Sequence, residues 1–73
     1  MTTDWRNIPS LTALRAFAAT AELRSFSQAA RVLNVTHAAV AQQVRGLEEQ
    51  LGRPLVQREG RGVSLTADGE QLA

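Results

Sequence analysis

Two apolar stripes of helical period, separated by only three residues, run through SFSQAARVLNVTHAAVAQQVRGLEEQLG, Ser25 to Gly52, and leave this chain few ways to fold. Phe26, Ala29, Ala30 and Leu33 recur at i, i+3, i+4 and i+7, which is one buried face of a short helix. Val40, Val44, Leu47 and Leu51 make the matching stripe of a longer one. Asn34, Val35 and Thr36 are all that lies between them. A connection that short forces the second helix to turn sharply and pack on the first, the geometry of a helix-turn-helix. The outward face of the second helix of such a pair is where function is to be sought.

The turn has a chemistry of its own. Asn34 accepts the left-handed conformation more readily than any residue except glycine, Val35 is expected to plug the angle between the helices, and Thr36 is a good N-cap. Gly52 stops the longer helix, with Pro54 beyond it to prevent continuation. That helix is then about 15 residues long, roughly 22 Å, enough to lie in a DNA groove. Ahead of the pair, Ser10 after Pro9 is the N-cap of a first helix buried through Leu11, Leu14, Phe17, Ala18 and Ala21. Ser25 caps the second helix, and Gln28 stands where a capping box places its partner.

Past Gly52 the period changes. Leu55 to Arg58 and Val63 to Thr66 read as two short strands around Glu59-Gly60-Arg61-Gly62, a wing with an arginine at its tip. Thr66 is a further N-cap, with Asp68 and Glu70 in a first turn whose dipole favours acids. The expected organisation is therefore an N-terminal arm over 1–8 and a winged helix-turn-helix over 9–66. Its helix-turn-helix covers about 26–45 and its wing about 54–66, and a linker helix begins over 67–73. The fold class is all-α with a small β-hairpin. Because the last helix has barely begun at Ala73, the chain is expected to be a fragment of a longer protein.

Composition mainly excludes. At 73 residues, 44% hydrophobic and 21% charged, this is one small folded domain rather than a disordered segment. It has no cysteine and one histidine, which leaves no disulfide framework and little basis for a metal site. There is no Ser-His-Asp set, no Gly-rich phosphate loop, no signal peptide and no apolar span, so an enzyme, a cofactor in this chain and a membrane location are not expected. A reducing, cytoplasmic setting is the expectation. Net charge is only +1, but all the basic residues are arginines, and Leu23 to Leu47 holds Arg24, Arg31 and Arg45 with no acid.

With the Val40/Val44/Leu47/Leu51 stripe inward, the third helix turns His37, Ala38, Ala41, Gln42 and Arg45 outward. Two alanines let a helix backbone approach a surface closely and offer methyls to thymine. A glutamine matches an adenine edge, and an arginine matches guanine or phosphate. The first turn, at Thr36 and His37, offers backbone N–H groups to phosphate. The candidate DNA-contacting set is thus Ser27, Thr36, His37, Ala38, Ala41, Gln42, Arg45 and, on the wing, Arg58 and Arg61. Taken singly, each is an ordinary surface residue, and a winged helix that docks on protein is the alternative. That role calls for exposed Leu, Ile or Phe on the third helix, where this chain has Ala, Gln, His and Arg.

Leu14-Arg15-Ala16-Phe17, Ser25-Phe26, Ala29-Ala30, Leu33, Val35-Thr36, Gln43-Val44, Leu47-Glu48, Leu51-Gly52, Leu55, Arg58, Leu65-Thr66 and Gly69 together give the stretch from Leu11 to Leu72 a wider identity. It resembles the DNA-binding domain of the bacterial LysR-type transcriptional regulators. The resemblance implies operator binding and a linker helix from about Thr66 through which the full-length protein forms a homodimer or tetramer. It also implies a small-molecule effector bound by a C-terminal domain beyond this chain. The departures lie on the reading face: His37-Ala38 where the family often has Gln-Pro, Ala41 for Ser, and Gln42 for Arg or His.

Overall fold

A computed structural model describes residues 10–73, and the arm expected over 1–8 lies outside the described residues. The elements follow in the order α1 (Leu11–Leu23), α2 (Phe26–Leu33), α3 (His37–Leu51), β1 (Val56–Glu59), β2 (Gly62–Leu65) and α4 (Ala67–Leu72). Three helices followed by a two-stranded antiparallel hairpin make a winged helix-turn-helix.

Each helix begins on the hydroxyl cap its sequence offers. Ser10 accepts from the Ala13 amide, Ser25 from Gln28, Thr36 from Ala39 and Thr66 from Gly69, all at 3.0–3.1 Å. A cap of this kind satisfies one of the four amides that the first turn leaves unpaired. Gln28 stays exposed, so the α2 cap rests on the serine. Helix ends are set by left-handed residues. Asn34 closes α2 at φ 60 and Gly52 closes α3 at φ 71, as their sequence positions require. Arg24 closes α1 at φ 57, in a conformation that sterics disfavour for a residue with a Cβ. It turns the chain so sharply that Ser25 alone separates it from α2.

α1 packs on both α2 and α3, which also pack on each other, and the core sits in the middle of that triangle. Ala29, Val40, Val44, Leu47 and Leu55 are almost fully buried there, with Phe17, Ala16 and Ala30 around them. The small residues let α1 and α2 approach closely, while Leu47 and Leu55 supply bulk to the same core. The buried side of α1 is Ala13, Ala16, Phe17, Thr20 and Ala21 rather than the stripe expected from apolar residues alone. Thr20 is fully buried because its hydroxyl donates to the Ala16 carbonyl at 2.8 Å, which removes the cost of its polarity. Ala18 lies a hundred degrees round from Phe17 and faces out.

Besides Ala18, three expected core residues are exposed. Leu11 (72%) and Leu51 (40%) occupy the terminal positions of their helices, beyond the cover of neighbouring elements. Val35 (49%) does not plug the inter-helix angle. The tight turn is held by the backbone instead, through the Val35 amide donating to the Ala30 carbonyl at 3.0 Å.

Candidate nucleic-acid interface

Burying Val40, Val44 and Leu47 fixes the rotation of α3 about its own axis. His37, Ala38, Gln42 and Arg45 are exposed as a consequence, and Ala41 is half-buried at the edge of the same face. The apolar stripe thus decides which side chains a partner meets. At the start of the helix, the Thr36 hydroxyl serves Ala39 and the Thr36 carbonyl serves Val40, so the amides of His37 and Ala38 are the donors left over in the first turn. The His37 ring stands edge-on to Phe26, 5.6 Å between centroids and 87° between planes, which ties the first residue of α3 to the first residue of α2.

The wing is a four-residue ladder, from Val56 opposite Leu65 to Glu59 opposite Gly62, closed by Gly60 and Arg61. Gly60 takes φ 60 at the first of these two turn positions, where a two-residue hairpin of the II′ kind requires it. Arg61 is thereby placed at the tip, exposed. Arg58 pairs with Val63, and directly opposed residues share one face of a sheet. Because Val63 is buried against the helices, Arg58 is turned back toward them. It lines two concavities. One, of about 40 Å³, also holds Ser25, Ser27, His37 and Arg61. The other, of about 160 Å³, separates α3 from the wing and holds Ala41, Arg45, Glu48 and Gln57.

The structure therefore divides the sequence-derived candidates into two adjoining groups. Ala38, Ala41, Gln42 and Arg45 form the exposed strip of α3, while Ser27, His37, Arg58 and Arg61 converge from α2, α3 and the wing on one small polar niche. Thr36 sits at the mouth of α3 with its side chain engaged in capping. Two arginines and two serine hydroxyls around a niche next to a helix start make an arrangement complementary to an anion. Arg58 and Arg61 were read from the sequence only as wing charges, and their convergence with Ser27 and His37 depends on how the hairpin docks.

That docking comes from contacts that no pattern in the sequence marks. The Val63 amide donates to the Arg24 carbonyl at 3.0 Å, so the left-handed corner after α1 holds β2. Gly62 makes the approach possible, since a Cβ there would stand 2.7 Å from the same carbonyl oxygen. At the other end the Thr66 hydroxyl donates to the Pro54 carbonyl at 2.7 Å, and its amide donates to the Leu55 carbonyl at 3.0 Å. Gly69 lies flush against the Leu55 carbonyl, leaving no room for a side chain. Glu48, next to the exposed Glu49 on α3, is half-buried. One of its carboxylate oxygens, Oε2, accepts from the amides of Leu55 at 2.7 Å and Val56 at 3.2 Å.

Among the described residues no group of three or more His, Cys, Asp or Glu side chains is arranged to hold a metal, and no helix is long and apolar enough to cross a membrane.

A recognition-type helix presented beside an arginine-tipped wing defines the class of winged helix-turn-helix nucleic-acid readers. The comparison with known proteins gives the family. Residues 11–70 match the model of the bacterial regulatory helix-turn-helix proteins of the lysR family, and the chain belongs to that family. It is 64% identical over 70 residues to the AhcY transcriptional activator HvrB of Rhodobacter capsulatus, covering 96% of this chain and 24% of that protein. In three dimensions it is similar to the BenM DNA-binding domain in complex with catB site 1 DNA, at 36% identity and a TM-score of 0.81, covering 86% of this chain and 70% of that one. It is likewise similar to the CbnR DNA-binding domain in its DNA complex, at 35% identity and a TM-score of 0.81, over 85% of this chain and 71% of that one. The chain spans about a quarter of the length of the curated relatives it matches. Those relatives are transcriptional regulators rather than enzymes.

Proposed function

We propose that this chain is the operator-binding domain of a LysR-type transcriptional regulator and reads double-stranded DNA sequence-specifically. α3 enters the major groove, and the wing lies on the flanking backbone or minor groove. The observation that carries this reading is the composition of the exposed strip of α3. Ala38 and Ala41 keep it low, and Gln42 and Arg45, three residues apart, project donors that match adenine and guanine edges. Ser27, Thr36, His37, Arg58 and Arg61 are assigned to phosphate, with the niche between α2, α3 and the wing as the seat of one phosphate group. The strip carries none of the large apolar side chains that docking on a protein would use. The similar BenM and CbnR DNA-binding domains, each in complex with DNA, support DNA as the partner.

In the longer protein, α4 is the first turn of a linker helix that pairs two copies into a homodimer or tetramer. A C-terminal domain takes a small-molecule effector, this chain itself carries no cofactor, and the setting is cytoplasmic. The test is a titration of labelled duplex DNA at several salt concentrations. Binding should weaken steeply and linearly on a log–log plot, and Arg61→Ala should flatten the slope by about one unit while weakening all sequences alike. Binding indifferent to salt would overturn the proposal.

A further inference from the structure

The wing leaves α3 through Arg53 and Pro54, and its first strand does not begin until Val56. The amides of Leu55 and Val56, at the root of that strand, have no ladder partner. The register opens at Val56 opposite Leu65, and the Thr66 amide reaches only the Leu55 carbonyl. Both amides are instead taken by a single side-chain oxygen, Glu48 Oε2. Glu48 is three residues past Arg45 on α3, and it lines the crevice that also holds Arg45 and Arg58. A carboxylate in such a place is costly for a domain that must approach polyphosphate, unless its charge is spent on something else. Two backbone donors on one oxygen, one of them at 2.7 Å, is the charge-assisted arrangement that spends it.

We infer that Glu48 is a positioning residue for DNA binding: its carboxylate locks the root of the wing to the recognition helix, so that Arg58 and Arg61 are delivered to the backbone in fixed register with Gln42 and Arg45. The other attachments of the wing run to α1, through the Arg24 carbonyl, and to α4, through Thr66 and Gly69. Glu48 is an attachment that comes from α3 itself. This inference rests on the proposed DNA-reading role of α3 and the wing, but the lock is a property of the free protein and is measurable without DNA.

The experiment uses Glu48→Ala and Glu48→Gln, each with and without Arg61→Ala, in two assays. The first is amide hydrogen exchange on the free protein. In Glu48→Ala, protection at Leu55 and Val56 should fall at least tenfold while the α3 core amides at Val44 and Leu47 keep theirs. Glu48→Gln retains an acceptor oxygen and should fall between. Unchanged protection at Leu55 and Val56 overturns the inference regardless of what DNA does.

The second assay is binding to a mixed-sequence duplex of about 30 base pairs, some three helical turns. If Arg61→Ala weakens wild type about tenfold, it should weaken Glu48→Ala less than twofold, because a wing already adrift has no register left to lose. The salt slope of Glu48→Ala should also drop by about one phosphate. A merely structural role would lower the melting temperature but leave the Arg61→Ala factor and the slope at wild-type values, and that outcome also overturns the inference. Loss of protection with no effect of Arg61→Ala in wild type would instead place the failure in the DNA-binding role of the wing. Should Glu48→Ala not fold, Glu48→Gln carries both readouts, with smaller changes in the same directions.

Discussion

Gly62→Ala is the most direct test of how the wing is docked, because it acts at one contact and on no torsion. Gly62 does not have a positive φ, so alanine meets no backbone strain there, only space. An added Cβ would stand 2.7 Å from the Arg24 carbonyl oxygen, where ordinary contact begins at 3.4 Å. Neither partner is a side chain able to rotate away. Relief therefore takes a displacement of about 0.7 Å (3.4 − 2.7) between β2 and the α1–α2 corner. The same movement stretches the adjacent hydrogen bond from the Val63 amide to the Arg24 carbonyl from 3.0 Å to about 3.7 Å, beyond useful reach. The lost bond is worth about 1 kcal/mol, and overpacking adds about 1–3 kcal/mol. Reduced entropy of the unfolded chain returns about 0.4–1 kcal/mol. The net cost is about 1–3.5 kcal/mol, which in a domain this size lowers the melting midpoint by roughly 10 °C. The control is Gly46→Ala, on the exposed side of α3, where a Cβ meets nothing within 4 Å. There alanine should stabilise by up to about 1 kcal/mol through helix propensity. Both variants are read by thermal melting followed by circular dichroism. A Gly62→Ala protein melting at or above wild type would refute the contact.

Leu47, fully buried in the core, should cost roughly 2–5 kcal/mol as Leu47→Ala in a denaturant titration, a large part of a small domain's stability. A wild-type midpoint would mean that α3 is rotated about its axis. Gln42→Ala should weaken binding to the selected operator by about 1–3 kcal/mol and relax preference at one or two positions, whereas equal loss on random duplex would reduce Gln42 to a backbone contact. In the longer protein, half-sites should lie about one helical turn apart, so inserting half a turn between them should harm its binding while scarcely affecting the 73-residue chain. Paired sites raise apparent affinity by about 10²–10⁴, and equal affinity of the two proteins for one operator would contradict the pairing.

Most of the helical scaffold was legible because it is local. The caps at Ser10, Ser25, Thr36 and Thr66 and the stops at Asn34 and Gly52 act through bonds within four residues, and the stripe of α3 set its rotation to within one side chain. Two kinds of residue escaped. Thr20 belongs to the core but is polar, and a pattern that counts only apolar residues passes over a hydroxyl satisfied by the carbonyl four residues back. Leu11 and Leu51 fit their stripes but outrun the elements that would cover them, since periodicity tells which way a residue points and not whether anything stands opposite.

The interface divides along the same line. The strip of α3 was readable because a helix converts spacing into direction, so burying Val40, Val44 and Leu47 exposes Gln42 and Arg45 automatically. The wing has no such rule. Its strands and its Gly60 turn are written in the sequence, but their placement depends on Arg24 in an unexpected left-handed corner, on the missing Cβ of Gly62 and on Glu48 turned under the hairpin. None of these belongs to the wing's reading face. Glu48 and Glu49 look alike as a sequence pair, yet one is half-buried on two amides and the other is exposed. What separates them is 100° of rotation about α3, which puts only Glu48 within reach of the returning chain. The direction in which Arg58 points is thus decided by how β2 docks, through the pairing with buried Val63 and the contacts that Arg24, Gly62 and Glu48 make at the edges of the hairpin.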